Sequence, residues 1–463
     1  MSIVDPIKFG NKEVYPLIEG GKGVAISTGA SSGAWAAAGG IGTISAVIAD
    51  SYDENGEVIP HDYKGKTRRA RHDEMVQYSI DGTIDQIRKA HEISKGEGLI
   101  NINMLWELGG AQRALHGILE KTKDLVHGVT CGAGMPFKLG ELAAKYGVHY
   151  YPIISSGRAF KLLWMRAFKK YGDLLGGVVY EDPWRAGGHN GLSNAEDPEK
   201  PGDPYPRVRE LRQVMNKFGL DHVPIIMAGG VWKLDEWKDW INNPELGPIS
   251  FQFGTRPLLT KESPISDKWK DLLRTLKDGD VLLQNFSPTG FFSSAIKNSF
   301  LGELVERAQR QITFAKEQSE DHNSLLEIAR KKFWVKGEDK AQAEKWIGAG
   351  HDTAMKTPDD SLVFVSAEKS KEIRKDQADC VGCLSQCKFS SWADNEKNST
   401  GRLADPRSFC ISKTLDDVGH GGDVDKNLCF AGHNAFRFAT DPFYSNGFTP
   451  TVKELFERIK EGL

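Results

Sequence analysis

Short apolar runs, each closing on glycine or a small polar residue and each followed by an amphipathic stretch, recur along roughly the first 260 positions of this chain. Residues 14–27 read as a strand running into Gly20-Gly21-Lys22-Gly23, and Ala30 to Ala38 as a small-residue helix leading to a second strand, Ile41-Gly42-Thr43-Ile44. A helix from Thr83 to Ser94 precedes the strand Leu99–Met104, and Leu125–Thr130 ends at Cys131-Gly132-Ala133-Gly134. The alternation continues with a helix to Tyr146, a strand Val148–Ser155, a helix Arg158–Lys170 and a strand Gly176–Tyr180. Residues 192–206 read as a mobile loop, followed by a helix Arg207–Phe218 and a strand His222–Met227 that ends at Gly229-Gly230. A helix Leu234–Ile241 and a strand Ile249–Phe253, ending at Gly254-Thr255, complete the series. Runs apolar on both faces are what parallel strands covered by helices look like. About eight strand-loop-helix units predict an α/β fold with a closed TIM-type (β/α)8 barrel. A doubly wound open sheet is the alternative, but no G-x-G-x-x-G fingerprint supports it.

Past this series the pattern changes. The expected division is a barrel over 1–260, a mostly helical extension over 261–378 with a long charged helix from Leu301 toward Lys316, and a Cys-rich segment over 379–463.

Composition narrows the class. Lys+Arg of 60 against Asp+Glu of 63 gives a net charge of -3, which removes any global signature of a nucleic-acid binder. No apolar run reaches membrane-spanning length and no basic-then-apolar leader opens the chain, so the expectation is a cytoplasmic protein without a membrane partner. Five of the six cysteines fall between Cys380 and Cys429, grouped as metal ligands are rather than spread as a disulfide framework. A basic run, Lys64, Lys66, Arg68, Arg69 and Arg71, reads as a solvated face or as a grip on a phosphorylated coenzyme tail or acyl carrier.

The candidate chemistry centres on Ala186-Gly187-Gly188-His189-Asn190-Gly191. Glycines on both sides of His189 let a flat ligand approach the backbone, and the imidazole has a pKa suited to moving protons. The glycine turns after the seventh and eighth strands occupy the loops that in a β/α barrel hold a phosphate on backbone N–H groups. Gly229 and Gly230 would form one side of that cradle, Gly254 and Thr255 the other, with Gly20, Gly21, Gly23 and Asn103 along a planar ring. A phosphate cradle beside a planar slot suggests a mononucleotide such as FMN.

Pro16-Leu17-Ile18-Glu19-Gly20-Gly21-Lys22-Gly23-Val24, Gly39 to Ile44, Asn103, Ala186 to Gly191, Ala228-Gly229-Gly230-Val231 and Gln252 to Arg256 resemble, in order, the nitronate monooxygenase (2-nitropropane dioxygenase) family. That family also contains FMN-dependent enoyl-[acyl-carrier-protein] reductases, and Ser287-Pro288-Thr289-Gly290 to Asn298 is similar to its later segment. The resemblance implies a TIM barrel with non-covalent FMN, His189 in the active-site position, and contacts to FMN from Gly21, Lys22, Gly23, Asn103, Gly187, Gly188, Gly229, Gly230, Gly254 and Thr255. Two residues depart from it. Lys22 replaces the usual Met and would bring a cation near the flavin; Arg185 replaces a frequent Glu and, beside His189, would lower its pKa.

Cys380, Cys383 and Cys387 stand at C-x2-C-x3-C, a spacing that wraps three thiolates around one centre, with Cys410 or Cys429 as the fourth. A [4Fe–4S] cluster and zinc both accept such a set. The loop resembles the cluster loop of the dienoyl-CoA reductase and trimethylamine dehydrogenase group, although 22 residues separate Cys387 from Cys410, more than that loop allows. Cys131 reads as a small buried residue or a reactive thiol, and His420 and His433 as surface histidines or extra ligands. The expected function is FMN-dependent oxidation of a nitronate, nitroalkane or related small conjugated substrate, with His189 as acid or base and a homo-oligomeric assembly. The alternative is an NAD(P)H-dependent enoyl or dienoyl reductase using FMN and an iron–sulfur cluster fed by an electron donor. A non-catalytic partner-binding barrel is the contrasting class, and the combination of His189 with the phosphate glycines argues against it.

Overall fold

The computed structural model describes residues 2–463. Eight parallel strands close into a barrel: β1 (Leu17–Glu19), β2 (Ile41–Ser45), β3 (Leu99–Leu105), β4 (Gly128–Gly132), β5 (His149–Ile154), β6 (Val178–Glu181), β7 (Ile225–Ala228) and β8 (Ile249–Phe253). β8 returns to β1, pairing Phe251 with Leu17 and Phe253 with Glu19. Six helices follow the first six strands in turn: α1 (Gly29–Ala37), α2 (Arg68–Ser94), α3 (Ala111–Thr122), α4 (Leu139–Tyr146), α5 (Gly157–Arg166) and α6 (Pro204–Asn216). Side chains of Thr28, Thr67, Ser156 and Asp203 accept hydrogen bonds from the first turns of α1, α2, α5 and α6, fixing where those helices begin. After β7 the helix expected over Leu234–Ile241 is a 3-10 stretch, Leu234–Trp240, and β8 is followed by a 3-10 turn, Arg256–Leu259.

The period-2 geometry of a strand sorts each apolar run to two faces. In β7, Ile225 and Met227 pack outward on the helices while Ile226 and Ala228 point into the barrel. The interior cluster also holds Ile18, Ile41, Leu99, Tyr151 and Val179, and Phe9 and Val14 of the hairpin Ile7–Phe9/Lys12–Val14 join it. Apolar side chains therefore fill one end of the barrel. The polar inward residues Asn103, Thr130 and Glu181 lie at the strands' other, carboxyl end, on the cavity described below.

The region after the barrel is not mostly helical. Helices α7 (Asp267–Leu273), α8 (Ser299–Gln309), α9 (Gly337–Gly348) and α10 (Ala367–Ala378) alternate with short antiparallel strands. Gln311–Thr313, Ser361–Val365 and Thr353–Lys356 make a three-stranded sheet, and Ser324–Ile328 pairs with Lys331–Val335. Ile312, Phe314, Leu326, Phe333, Val335 and Phe364 form its small core. The long charged helix expected from Leu301 ends at Gln309, because the next residues, Gln311–Thr313, pair as a strand instead. A second sheet, Val281–Gln284 with Ser293–Ile296, takes Gly188–His189 as its third strand.

The C-terminal segment folds back over the barrel. It carries α11 (Ile411–Gly419) and α12 (Val452–Lys460), whose Phe456 ring packs edge-on against Trp35 of α1 at 5.4 Å. The basic run divides: Lys64 and Lys66 stay exposed, whereas α2 starts at Arg68 and its arginines hold this segment instead of forming a solvated face. Arg68 donates to Ser390 O and Gln377 O, Arg71 to Cys380 O and Ala378 O, and Arg69 pairs with Asp394 at 2.7 Å. Among the described residues no helix is long and apolar enough to cross a membrane.

Candidate active site

The carboxyl ends of the strands open into one cavity. His189 and all ten expected FMN contacts (Gly21, Lys22, Gly23, Asn103, Gly187, Gly188, Gly229, Gly230, Gly254 and Thr255) line it. Residues more than 200 positions apart meet there because every contributing loop follows a barrel strand or sits on the extra sheet.

The cavity has the shape a phosphorylated planar ligand needs. Gly229 and Gly230 adopt φ +89° and +80°, a region that L side chains avoid. A Cβ on Gly229 would lie 2.9 Å from Ala186 N. At Gly254 a Cβ would meet nothing within 4 Å, so its backbone faces open space. A Cβ on Gly21 would lie 2.3 Å from Asn103 Cβ, which means the first-strand turn lies flat against that side chain. A narrow slot at β1 and β3 and a glycine cradle at β7 and β8 fit the ring and phosphate of FMN.

His189 is held by the extra sheet, where it pairs with Ser293. Its Nε2 is hydrogen-bonded to Ser287 Oγ at 2.6 Å, and Ser287 Oγ lies 2.8 Å from Thr289 Oγ1. The Phe430 ring meets the imidazole edge-on at 5.3 Å. Among the described residues Nδ1 has no hydrogen-bond partner, which leaves it for a ligand. Burial holds the imidazolium down, to about 4. Arg185 plays no part in that shift. Its guanidinium turns away to Asp182 at 2.8 Å and to Gly202 O at 2.7 Å. Lys22 lines the cavity, but its ammonium is bound by Glu19 at 3.0 Å and Gly20 O at 2.9 Å, so its charge is already met.

Several cavity residues escaped sequence reasoning. Glu181, the last residue of β6, is inward-facing, and burial with Asp182 beside it pushes its carboxyl up to about 8. The signal was available: an acid at the end of an otherwise apolar run, at an inward position. The C-terminal segment adds a wall. Gly432 N donates to Thr255 Oγ1 at 2.8 Å, and Asn434 Nδ2 to Gly230 O at 2.6 Å, fastening that wall to both phosphate loops. A Cβ on Gly187 would lie 2.6 Å from the Ala431 backbone, so the tail rests directly on the histidine loop.

The cysteines divide. Cys380, Cys383, Cys387 and Cys410 are free thiols at the junction of α2, the loop after β3 and the start of α11. Cys429 stands apart, on the cavity wall beside Phe430. Cys131 is fully enclosed, and burial pushes its thiol up, which fits a packing role rather than a reactive one. His420 pairs with Asp50 at 3.1 Å, and His433 Nε2 lies 3.3 Å from Ser294 Oγ, so both are occupied in the fold. Among the described residues no group of three or more His, Cys, Asp or Glu is arranged to hold a metal ion.

A family model described as nitronate monooxygenase matches residues 8–364. Among solved structures the chain is similar to the enoyl reductase domain of MlnA from the macrolactin biosynthesis cluster of Bacillus amyloliquefaciens, with TM-score 0.53, 12% identity, and 96% of this chain and 93% of that one covered. It is also similar to FabK from Thermotoga maritima, with TM-score 0.51, 15% identity, and coverage of 96% and 91%. At these identities the likeness is one of fold. The sequence matches no curated protein with significance.

Proposed function

The chain belongs to the nitronate monooxygenase family of FMN-dependent oxidoreductases, and from that premise we propose that it oxidises a nitronate or small nitroalkane, with His189 handling the proton. The observation that carries this reading is the hydroxyl chain Thr289–Ser287–His189, set over the cavity that gathers every expected FMN contact.

Bound FMN supplies the acceptor for the electron pair or single electrons that leave the substrate. The protein supplies position and proton control. Backbone N–H groups at Gly229, Gly230, Gly254 and Thr255 would hold the phosphate, and Gly21 with Asn103 would hold the ring. The neutral imidazole takes a proton at Nδ1 while Ser287 Oγ accepts from Nε2–H, or donates from Nδ1–H to a nitro oxygen when Ser287 donates to Nε2. Phe430 covers one side of the imidazole.

His189→Ala should retain FMN and lose turnover of a small nitroalkane by about 10²–10⁴-fold. Full turnover with FMN bound would remove His189 from the mechanism. A second reading, reduction of an enoyl substrate by NAD(P)H, is favoured by Glu181, whose carboxyl keeps its proton at neutral pH inside the same cavity. Anaerobic NAD(P)H oxidation dependent on a 2-enoyl thioester, without turnover of nitroalkanes, would decide for it.

A further inference from the structure

A second cavity, of about 540 Å3, adjoins the flavin cavity. One wall is the stretch 48–63, which links β2 to α2; the other comes from α10, α11 and the residues beside them. Ile48 and Ser412 line both cavities, so they stand in the partition between the two spaces. Ile48 is buried and adopts φ +48°, a region that β-branched residues avoid. Its N–H donates to Ser79 Oγ of α2 at 3.1 Å, which helps hold it there. Backbone strain of this kind persists only where the surroundings impose it, and it gathers at ligand sites.

The chemistry of the second cavity is that of a neutral, apolar guest. Ile48, Val58, Ile59, Pro60, Tyr63 and Val381 supply apolar surface. The charged side chains of the lining are matched with one another. Lys375 meets Asp379 at 2.6 Å and Lys413 meets Asp376 at 2.9 Å. His420 lies 3.1 Å from Asp50 and 3.5 Å from Asp416, and burial lowers the pKa of His61, favouring its neutral form. Among the described residues no cation of this lining is left over for a phosphate or carboxylate. Val58 and Ile59 are exposed, and covering them with an apolar ligand is favourable. The volume falls in the range of small-molecule sites.

We propose that the second cavity receives the alkyl tail of the substrate, which passes between Ile48 and Ser412 while the reactive end meets His189. This inference rests on the nitronate reading above and narrows it, to a nitronate carrying a long, uncharged chain. The smallest nitroalkanes would leave the second cavity empty. Ile48 and Ser412 then set chain length, and α11 separates the two spaces through which one molecule runs.

The test compares the nitronates of nitroethane, 1-nitrobutane and 1-nitrooctane on the FMN-loaded protein. Each methylene entering an apolar site favours binding by about fourfold, so kcat/KM should rise at least about tenfold from nitroethane to 1-nitrooctane. Val381→Trp fills the second cavity from a position outside the flavin cavity. It should abolish the rise and leave nitroethane turnover unchanged. Ile59→Asp, on the exposed stretch, should reduce the rise and decides the matter if Val381→Trp fails to fold. Calorimetric titration with 1-butanol and 1-octanol reads the cavity without turnover. Wild-type protein should bind octanol at least about tenfold more tightly than butanol, and the two variants should lose that preference. Equal kcat/KM across the three nitronates overturns the proposal, as does an octanol preference that survives in both variants. If no nitronate is turned over while octanol binding follows the expected pattern, the nitronate reading fails and the cavity stands as the site of an apolar chain.

Discussion

With its imidazolium held down to about 4, His189 is neutral from pH 5 upward, so its protonation should not cut activity between pH 8 and pH 5. A pH–rate profile of kcat/KM that breaks near 6.5 would instead report an exposed histidine. Ser287→Ala removes the Nε2 partner and should cost about 0.5–1.5 kcal/mol, or about 2–12-fold in turnover, with FMN affinity unchanged. Glu181 has the opposite sign to an ordinary acid. Its folded carboxyl titrates at about 8, well above the unfolded value, so the stability tied to its proton is full below the unfolded value and is lost as pH rises to about 8. Glu181→Gln should therefore raise the thermal midpoint at pH 8 by about 2 °C or more and change it little at pH 4; an equal shift at both pH values would contradict this. Four of the cavity-lining residues, His189 among glycines, the Gly229-Gly230 pair and Asn103, were legible because a local pattern marked each one. Phe430 carried no local mark, since it reaches His189 only by the return of the C-terminal segment; Ser287 was marked only as part of a resembling segment, and its partner His189 is brought to it by a sheet between residues about 100 positions apart.

At the scale of elements, the phosphate loops work through backbone shape. Gly229→Ala forces a Cβ against Ala186 N at φ +89° and should weaken FMN binding about tenfold, measured by fluorescence titration. The barrel strands were readable because parallel strands buried on both faces leave near-continuous apolar runs that stop at glycine. Most strands between residues 311 and 365 were not, because three to five residues with one or two buried positions leave no period to detect, and Ser361–Val365, buried throughout, stands alone inside a charged stretch. α2 was read at only its last turns, since polar residues dominate its start and the reason they are helical lies in the tail they hold. Replacing both Arg68 and Arg71 by Ala should speed proteolysis between residues 379 and 410 while leaving barrel circular dichroism unchanged.

For the whole molecule, the C-terminal segment is part of the flavin cavity rather than an appendage. Gly432 and Asn434 tie it to the two phosphate loops, Phe430 covers His189, and α12 packs beneath α1. A chain ending after Ala378 should fail to retain FMN on gel filtration, even where it remains in solution. The division of labour read from composition, with the cysteines set apart from the barrel, missed this contact because the tail and the loops it touches are separated by some 180 to 200 residues.

That same return of the tail to Thr255 and Gly230 also orders events during synthesis. The eight strands leave the ribosome long before residues 430–434, so the barrel's carboxyl face stands open while much of the chain is still being made. The cofactor's resting place is finished only once residues 430–434 have followed the barrel out, and a product terminated before them advertises itself by lacking colour.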